Sequence, residues 1–165
     1  MSTLVHLKVL NLSENHLNSV SEVIFFNQIS DLPRLEKLYI SYNKIESIAK
    51  LKNLPMLETF HICANRLKNL EGMESFVLLK ILWVAGNKLY SFKNHLEKLQ
   101  FLEEVNASAN KICHFNETLN LLRNPEIKTL YFKDPQFGNY FYLGCNPICS
   151  LCNYETFIIF HFPKL

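Results

Sequence analysis

Five asparagines recur through this 165-residue chain, Asn15, Asn43, Asn65, Asn87 and Asn110, at spacings of 28, 22, 22 and 23 residues. Each occupies the ninth place of one phrase, L-x-x-L-x-L-x-x-N-x-L. A unit this short cannot bury its own apolar side chains. Successive units must therefore stack on one another and share a core, which makes the chain a solenoid. No other feature narrows the choice of fold as far.

The phrase reads Leu7, Leu10, Leu12, Asn15, Leu17 in the first unit and Leu35, Leu38, Ile40, Asn43, Ile45 in the second. Leu57, Phe60, Ile62, Asn65, Leu67 and then Leu79, Leu82, Val84, Asn87, Leu89 follow, with Leu102, Val105, Ala107, Asn110, Ile112 as the fifth. A sixth opens with Ile127, Leu130 and Phe132 and then breaks, because Pro135 stands where the asparagine belongs. The fourth and sixth positions alternate with polar residues, which is strand periodicity. The expectation is a parallel sheet of strands about 4.8 Å apart, with those two positions pointing inward. The asparagine turns inward where each strand ends and bonds the backbone of the neighbouring turn; a buried amide without such partners would cost roughly 1–3 kcal/mol. Between strands, Leu32-Pro33-Arg34-Leu35, Leu54-Pro55-Met56-Leu57 and Phe162-Pro163-Lys164-Leu165 share an L/F-P-x-L pattern. Proline suits an entry into a strand, where its missing N–H is harmless. The returns at 20–29 and 117–123 read as longer and more helical than the rest.

Composition removes several function classes. Apolar residues make up 48% of the chain and charged residues 19%, which excludes intrinsic disorder. With 17 basic and 15 acidic side chains, the net charge of +2 gives no electrostatic case for nucleic acid or an anionic membrane. The first eight residues lack a basic start followed by an apolar run, and no stretch approaches the ~18 apolar residues of a membrane span. The expectation is an intracellular, soluble, cytoplasmic protein whose five cysteines are reduced. Of the three Asn-x-Ser/Thr triplets, at Asn11, Asn106 and Asn116, two arise from the repeat phrase itself, and without a visible secretory signal none is expected to be glycosylated.

In the phrase, the second, third, fifth, seventh and eighth residues are expected on the concave surface. The fifth column reads Asn11, Tyr39, His61, Trp83, Asn106, Tyr131, with the only tryptophan in its middle. Flanking columns add Val9, Lys37, Ile81 and Glu104, and Tyr42, Ala64, Gly86 and Ala109. Aromatic side chains on one exposed strip with small residues beside them resemble a protein-binding hot spot. Tyr39, Tyr42, His61, Ile81, Trp83, Asn106 and Tyr131 are accordingly the candidate partner-binding residues. The plainer alternative is that wide rings simply fill a concave sheet.

Chemistry finds little purchase. Cys145, Cys149, Cys152 and His161 have the donor types for zinc, but a single C-x-x-C fits no standard finger, and packing thiols explain them better. No nucleophile elbow, H-E-x-x-H, phosphate loop or dinucleotide fingerprint is present. No enzyme activity, cofactor or metal is expected.

The phrase is that of the leucine-rich repeat, and its 22-residue form resembles the repeats of a protein phosphatase 1 regulatory subunit, of the U2 small nuclear ribonucleoprotein A′ protein and of several axonemal proteins. The segment from Cys145-Asn146-Pro147-Ile148-Cys149 through Phe162-Pro163-Lys164-Leu165 looks like the cap that closes such arrays. With Asp134-Pro135-Gln136-Phe137 upstream, it most resembles the leucine-rich repeat-containing protein 9 family. The resemblance implies an α/β solenoid, a right-handed horseshoe with a parallel concave sheet and short helical or irregular convex returns. It implies one domain over 1–165, about six repeats over 4–133 and a cap-like segment over 134–165, as a fragment or short isoform of a longer protein. It also implies a scaffold or targeting module for a protein partner, in cytoskeletal or ciliary surroundings. The alternatives are a phosphatase regulatory subunit and a ribonucleoprotein component.

Overall fold

The computed structural model describes residues 4–18, 25–30, 32–93, 95–137 and 144–162. Each repeat phrase contributes one three-residue strand: β1 (Val9–Asn11), β2 (Lys37–Tyr39), β3 (Thr59–His61), β4 (Ile81–Trp83), β5 (Glu104–Asn106) and β6 (Thr129–Tyr131). They form one six-stranded sheet in chain order, every neighbouring pair parallel. A parallel pair cannot be closed by a hairpin, so each link crosses the outside of the coil before returning. Consecutive coils therefore lie side by side and share one core, which makes the chain a solenoid of the leucine-rich repeat type.

The phrase positions become that core. From the second coil to the fifth, all sixteen leucine-type positions, Leu35 through Ile112, have no solvent exposure. The convex returns add a second layer of buried side chains, among them Ile48, Leu51, Leu70, Met73, Phe76, Phe92 and Leu96. Phe60 from β3 meets Phe76 from the return edge to face at 5.8 Å. Each buried leucine-sized side chain contributes roughly 1.5–3 kcal/mol through burial alone. In the first coil Leu7, Leu10, Leu12 and Leu17 are only partly buried, although Phe26, Ile29 and Leu32 of its return are buried.

The returns are short because 22 residues leave little chain after the strand and the turns. The L-P-x-L pattern is a β-turn into the next strand: the Leu35 N–H donates to the Leu32 carbonyl at 3.1 Å, and Leu57 to Leu54 at 3.2 Å. Pro33 and Pro55 occupy the second turn position, which wants their fixed φ and needs no N–H. Asn124-Pro125-Glu126-Ile127 makes the same turn, Ile127 donating to the Asn124 carbonyl. Pro163 and Leu165 of the third expected copy lie outside the described residues.

The two returns expected to be helical are so where described. Residues 25–29 form a helical stretch (α1), and Phe115–Leu119 (α2) runs into a 3-10 turn at Asn120–Arg123. A last helix, Tyr154–His161 (α3), leans on α2 through Phe115 and Phe157, whose rings stack at 4.3 Å. No helix among the described residues is long and apolar enough to cross a membrane.

Candidate functional site

The asparagine ladder fixes how one coil sits on the next. Asn65 accepts the Ile45 N–H at 2.9 Å and donates to the carbonyls of Ile40, Ile62 and Cys63. Asn43, Asn87 and Asn110 repeat the pattern, accepting from Leu17, Leu67 and Leu89 and donating to Leu12, Ile62 and Val84 of the preceding coil. A single amide thus occupies backbone groups of two coils at once, which holds the parallel strands in register.

Two positions depart from the sequence expectation. Asn15 is exposed, and among the described residues its amide donates only within its own coil, to the carbonyls of Leu12 and Ser13. The sixth rung exists but lies elsewhere: Asn146 accepts the Ile112 N–H at 3.0 Å and donates to Ala107 and Phe132. The sixth coil does not end at residue 133. It is interrupted after Phe132 and resumes near Gly144, whose carbonyl receives the Ala109 N–H as Cys63, Ala85 and Ser108 receive those of Tyr42, Ala64 and Gly86. The boundary between repeats and cap therefore falls beyond Asn146. Of the extra length, 138–143 lie outside the described residues.

The seventh column also departs. Ser41, Cys63, Ala85 and Ser108 are buried, not concave. They face inward because a left-handed residue follows each: Tyr42 (φ 55°), Ala64 (φ 50°), Gly86 (φ 67°) and Ala109 (φ 50°). The hydroxyls of Ser13 and Ser41 accept the N–H groups of Ser41 and Cys63, a second and shorter ladder. Burial drives the Cys63 thiol up to about 12, so it stays protonated and unreactive.

The fifth column forms as the repeat dictates. Asn11, Tyr39, His61, Trp83, Asn106 and Tyr131 are cross-strand partners through the whole sheet. The Tyr39 ring meets His61 edge to face at 4.9 Å, and His61 lies parallel on Trp83 at 4.6 Å, an angle of 1°. These separations match the strand spacing of about 4.8 Å, so in-register pairing is what stacks the rings. Enclosure between two aromatic neighbours strips water from the imidazole and lowers His61 to about 4, leaving it neutral at pH 7.

Beyond Trp83 the aromatic row stops. Asn106 is only 1% exposed: its carbonyl oxygen accepts the Ser108 N–H at 3.1 Å and its amide donates to Asp134 at 2.9 Å. It is therefore the floor of the strip and not a contact residue. Tyr131 follows at 40% exposure, and Tyr42, on the flank, is 52% exposed. Ile81 is half-buried beside the rings. The Trp83 indole N–H donates to Glu104 at 2.6 Å. The second column runs along the edge as three ion pairs, Lys8–Glu36 at 2.7 Å, Glu58–Lys80 at 3.0 Å and Glu103–Lys128 at 2.9 Å. At the surface such pairs add little stability, but they neutralise that edge.

Among the described residues no group of three histidine, cysteine or acidic side chains is placed to hold an ion. All five cysteines are thiols. Cys149 donates to the Phe132 carbonyl at 3.3 Å, and burial raises its pKa. Asn124, which the sequence reading did not single out, is buried and donates to the carbonyls of Leu96 and Leu99, tying the last long return to the one before.

Comparison with known proteins agrees with this architecture. Residues 5–53 and 33–76 match the family model described as leucine-rich repeats in two copies. Among solved structures, a leucine-rich repeat protein of Leptospira interrogans is similar over 78% of this chain at 26% identity and a TM-score of 0.68. An internalin of Listeria monocytogenes is similar over 77% at 20% identity and 0.63, and the leucine-rich repeat domain of APL1 over 75% at 18% and 0.64. The chain spans 32% of the Leptospira structure's length, 42% of the internalin's and 32% of the APL1 domain's. The fold is that of the leucine-rich repeat.

Proposed function

We propose that this chain is a docking module that holds a protein partner against its concave sheet, with Trp83, His61 and Tyr39 as the centre of the contact and Tyr42, Ile81 and Tyr131 around it. The observation that carries the reading is the continuous ring stack across β2, β3 and β4, half-buried before any partner arrives. Rings already locked by one another lose little side-chain freedom on binding, which is the property of a hot spot. Asn106, floored beneath Asp134, is left out of the contact set. The setting proposed is intracellular, and a relationship to leucine-rich repeat-containing protein 9 is proposed on the residues from Cys145 to Leu151.

Affinity capture from cell extract tests this with Trp83→Ala and Tyr39→Ala beside the parent. Both variants should lose the same partner. Retrieval of that partner at parental yield by both would remove the concave face from consideration.

A further inference from the structure

The two flanks of the solenoid carry charge differently. Where the strands begin, opposite charges meet in pairs, Lys8 with Glu36, Glu58 with Lys80 and Glu103 with Lys128. Where they end, the residue after the ladder asparagine is a cation in four successive coils: Lys44, Arg66, Lys88 and Lys111. All four are exposed, each between a buried asparagine and a buried apolar residue. Each donates its backbone N–H to the preceding coil in the same way, to the carbonyls of Leu17, Ile45, Leu67 and Leu89. One backbone geometry repeated in every coil sends the four side chains out on one side, about 4.8 Å apart. Two residues further on, the next outward column adds Lys68 and a single carboxylate, Glu46, which meets Arg66 at 3.8 Å. Lys111 rests on Tyr90, its ammonium 2.9 Å from the hydroxyl and 5.1 Å from the ring centroid. Among the described residues, Lys44, Lys68, Lys88 and Lys111 meet no carboxylate at ion-pairing distance. The fold makes no use of this shared sign. Position ten gives the stack only its N–H, and like charges one coil apart repel.

We propose that this row is a second docking surface, which takes an acidic helix of a protein partner laid along the solenoid axis, one carboxylate per helical turn against one cation per coil. It goes beyond the concave contact and does not depend on it. Charge complementarity selects the acid. Spacing selects the helix, whose turns, about 5.4 Å apart, drift from the coils by only ~2 Å over the whole row, within the play of lysine and arginine stems. Same-face carboxylates of an extended strand, about 6.6 Å apart, drift by ~5 Å. Nucleic acid fits less well: the chain carries a net charge of only +2, and the aromatic ring beside the row, Tyr90, already lies under Lys111.

The probe is a labelled alanine-rich peptide with one glutamate per turn on a single helical face, followed by fluorescence anisotropy. It should bind saturably and be released by added salt. Lys44→Gln, Arg66→Gln and Lys88→Gln should each weaken it about two- to fivefold, and together by about tenfold or more. Lys8→Gln, Lys80→Gln and Lys128→Gln combined remove the same charge from the other flank and should leave affinity within about twofold of the parent. No saturable binding, equal loss in the two triple variants, or equal affinity for a peptide whose glutamates circle the helix overturns the proposal. Tighter binding of oligodeoxythymidylate, or of vesicles of phosphatidylcholine and phosphatidylserine, overturns it too, by giving the row to nucleic acid or to an anionic membrane.

Discussion

Asn15 satisfies the repeat phrase in every letter and, among the described residues, bonds only within its own coil; Asn146, cut off from β6 by the interruption after Phe132, holds two coils together. The difference is the coil behind each. Ile112 and Ala107 offer Asn146 an N–H and a carbonyl, whereas no coil among the described residues lies on the outer side of β1. The ladder is thus a property of stacked pairs, not of the single repeat. The leucines teach the same lesson, fully enclosed at the centre and half-covered in the first coil, where Val9 is 49% exposed.

The largest test of that contrast is truncation of equivalent leucines. Leu82→Ala removes a fully enclosed side chain and should cost about 2–5 kcal/mol, while Leu10→Ala, at the same repeat position in the first coil, should cost less than half as much, about 1–2 kcal/mol. Urea unfolding measures both. Equal losses would mean that the first coil is as enclosed in solution as the fourth. The amides come next. Asn87→Ala and Asn146→Ala should each cost roughly 1–3 kcal/mol, because backbone groups of two coils lose their partner, and Asn15→Ala should stay within about 0.5 kcal/mol. A parental melt for Asn146→Ala would break the comparison at its sharpest point.

Protonation supplies a third test, confined to the middle of the sheet. The stack holds His61 near 4 in the folded chain, against an ordinary value of 6.5. Above 6.5 the ring is neutral in both states and costs nothing. Between 6.5 and 4 the unfolded chain takes up a proton that the folded one refuses, so stability falls as pH drops through that window. His61→Phe keeps a ring and removes the titration. Its melting temperature should therefore hold up better than the parent's on acidification from pH 7 to 4. Parallel curves would show that His61 is not enclosed between Tyr39 and Trp83.

Much of this was legible in the chain because the phrase encodes geometry at fixed offsets. The strands, their register and the column from Asn11 to Tyr131 follow from counting, since in-register parallel stacking leaves no other neighbour for position five. What escaped depended on backbone twist or on insertion. The seventh column could not be placed without the left-handed residue that follows it. Asn106 looked like a surface residue because Asp134, 28 residues on, covers it only once the sixth coil is built. Phe141-x-Leu143-x-x-Asn146-x-Ile148 kept the second half of the phrase, the signal for the sixth rung, but the interruption after Phe132 had separated it from its strand.

Position eight offers the smallest effect and the control for the rest, because its geometry belongs to the repeat itself. Glu14 is left-handed (φ 59°) in the open first coil just as Ala109 (φ 50°) is in the fifth. A residue with a Cβ is strained there, and glycine relieves it, less the freedom that glycine adds to the unfolded chain. Ala109→Gly and Glu14→Gly should therefore both stabilise by about 0.5–1 kcal/mol. Gly86→Ala should destabilise by a similar ~1 kcal/mol, its new methyl arriving 3.3 Å from the Ala64 nitrogen. If Glu14→Gly has no effect while Ala109→Gly stabilises, the turn geometry too is imposed by the neighbouring coil, and the distinction between borrowed and intrinsic positions fails.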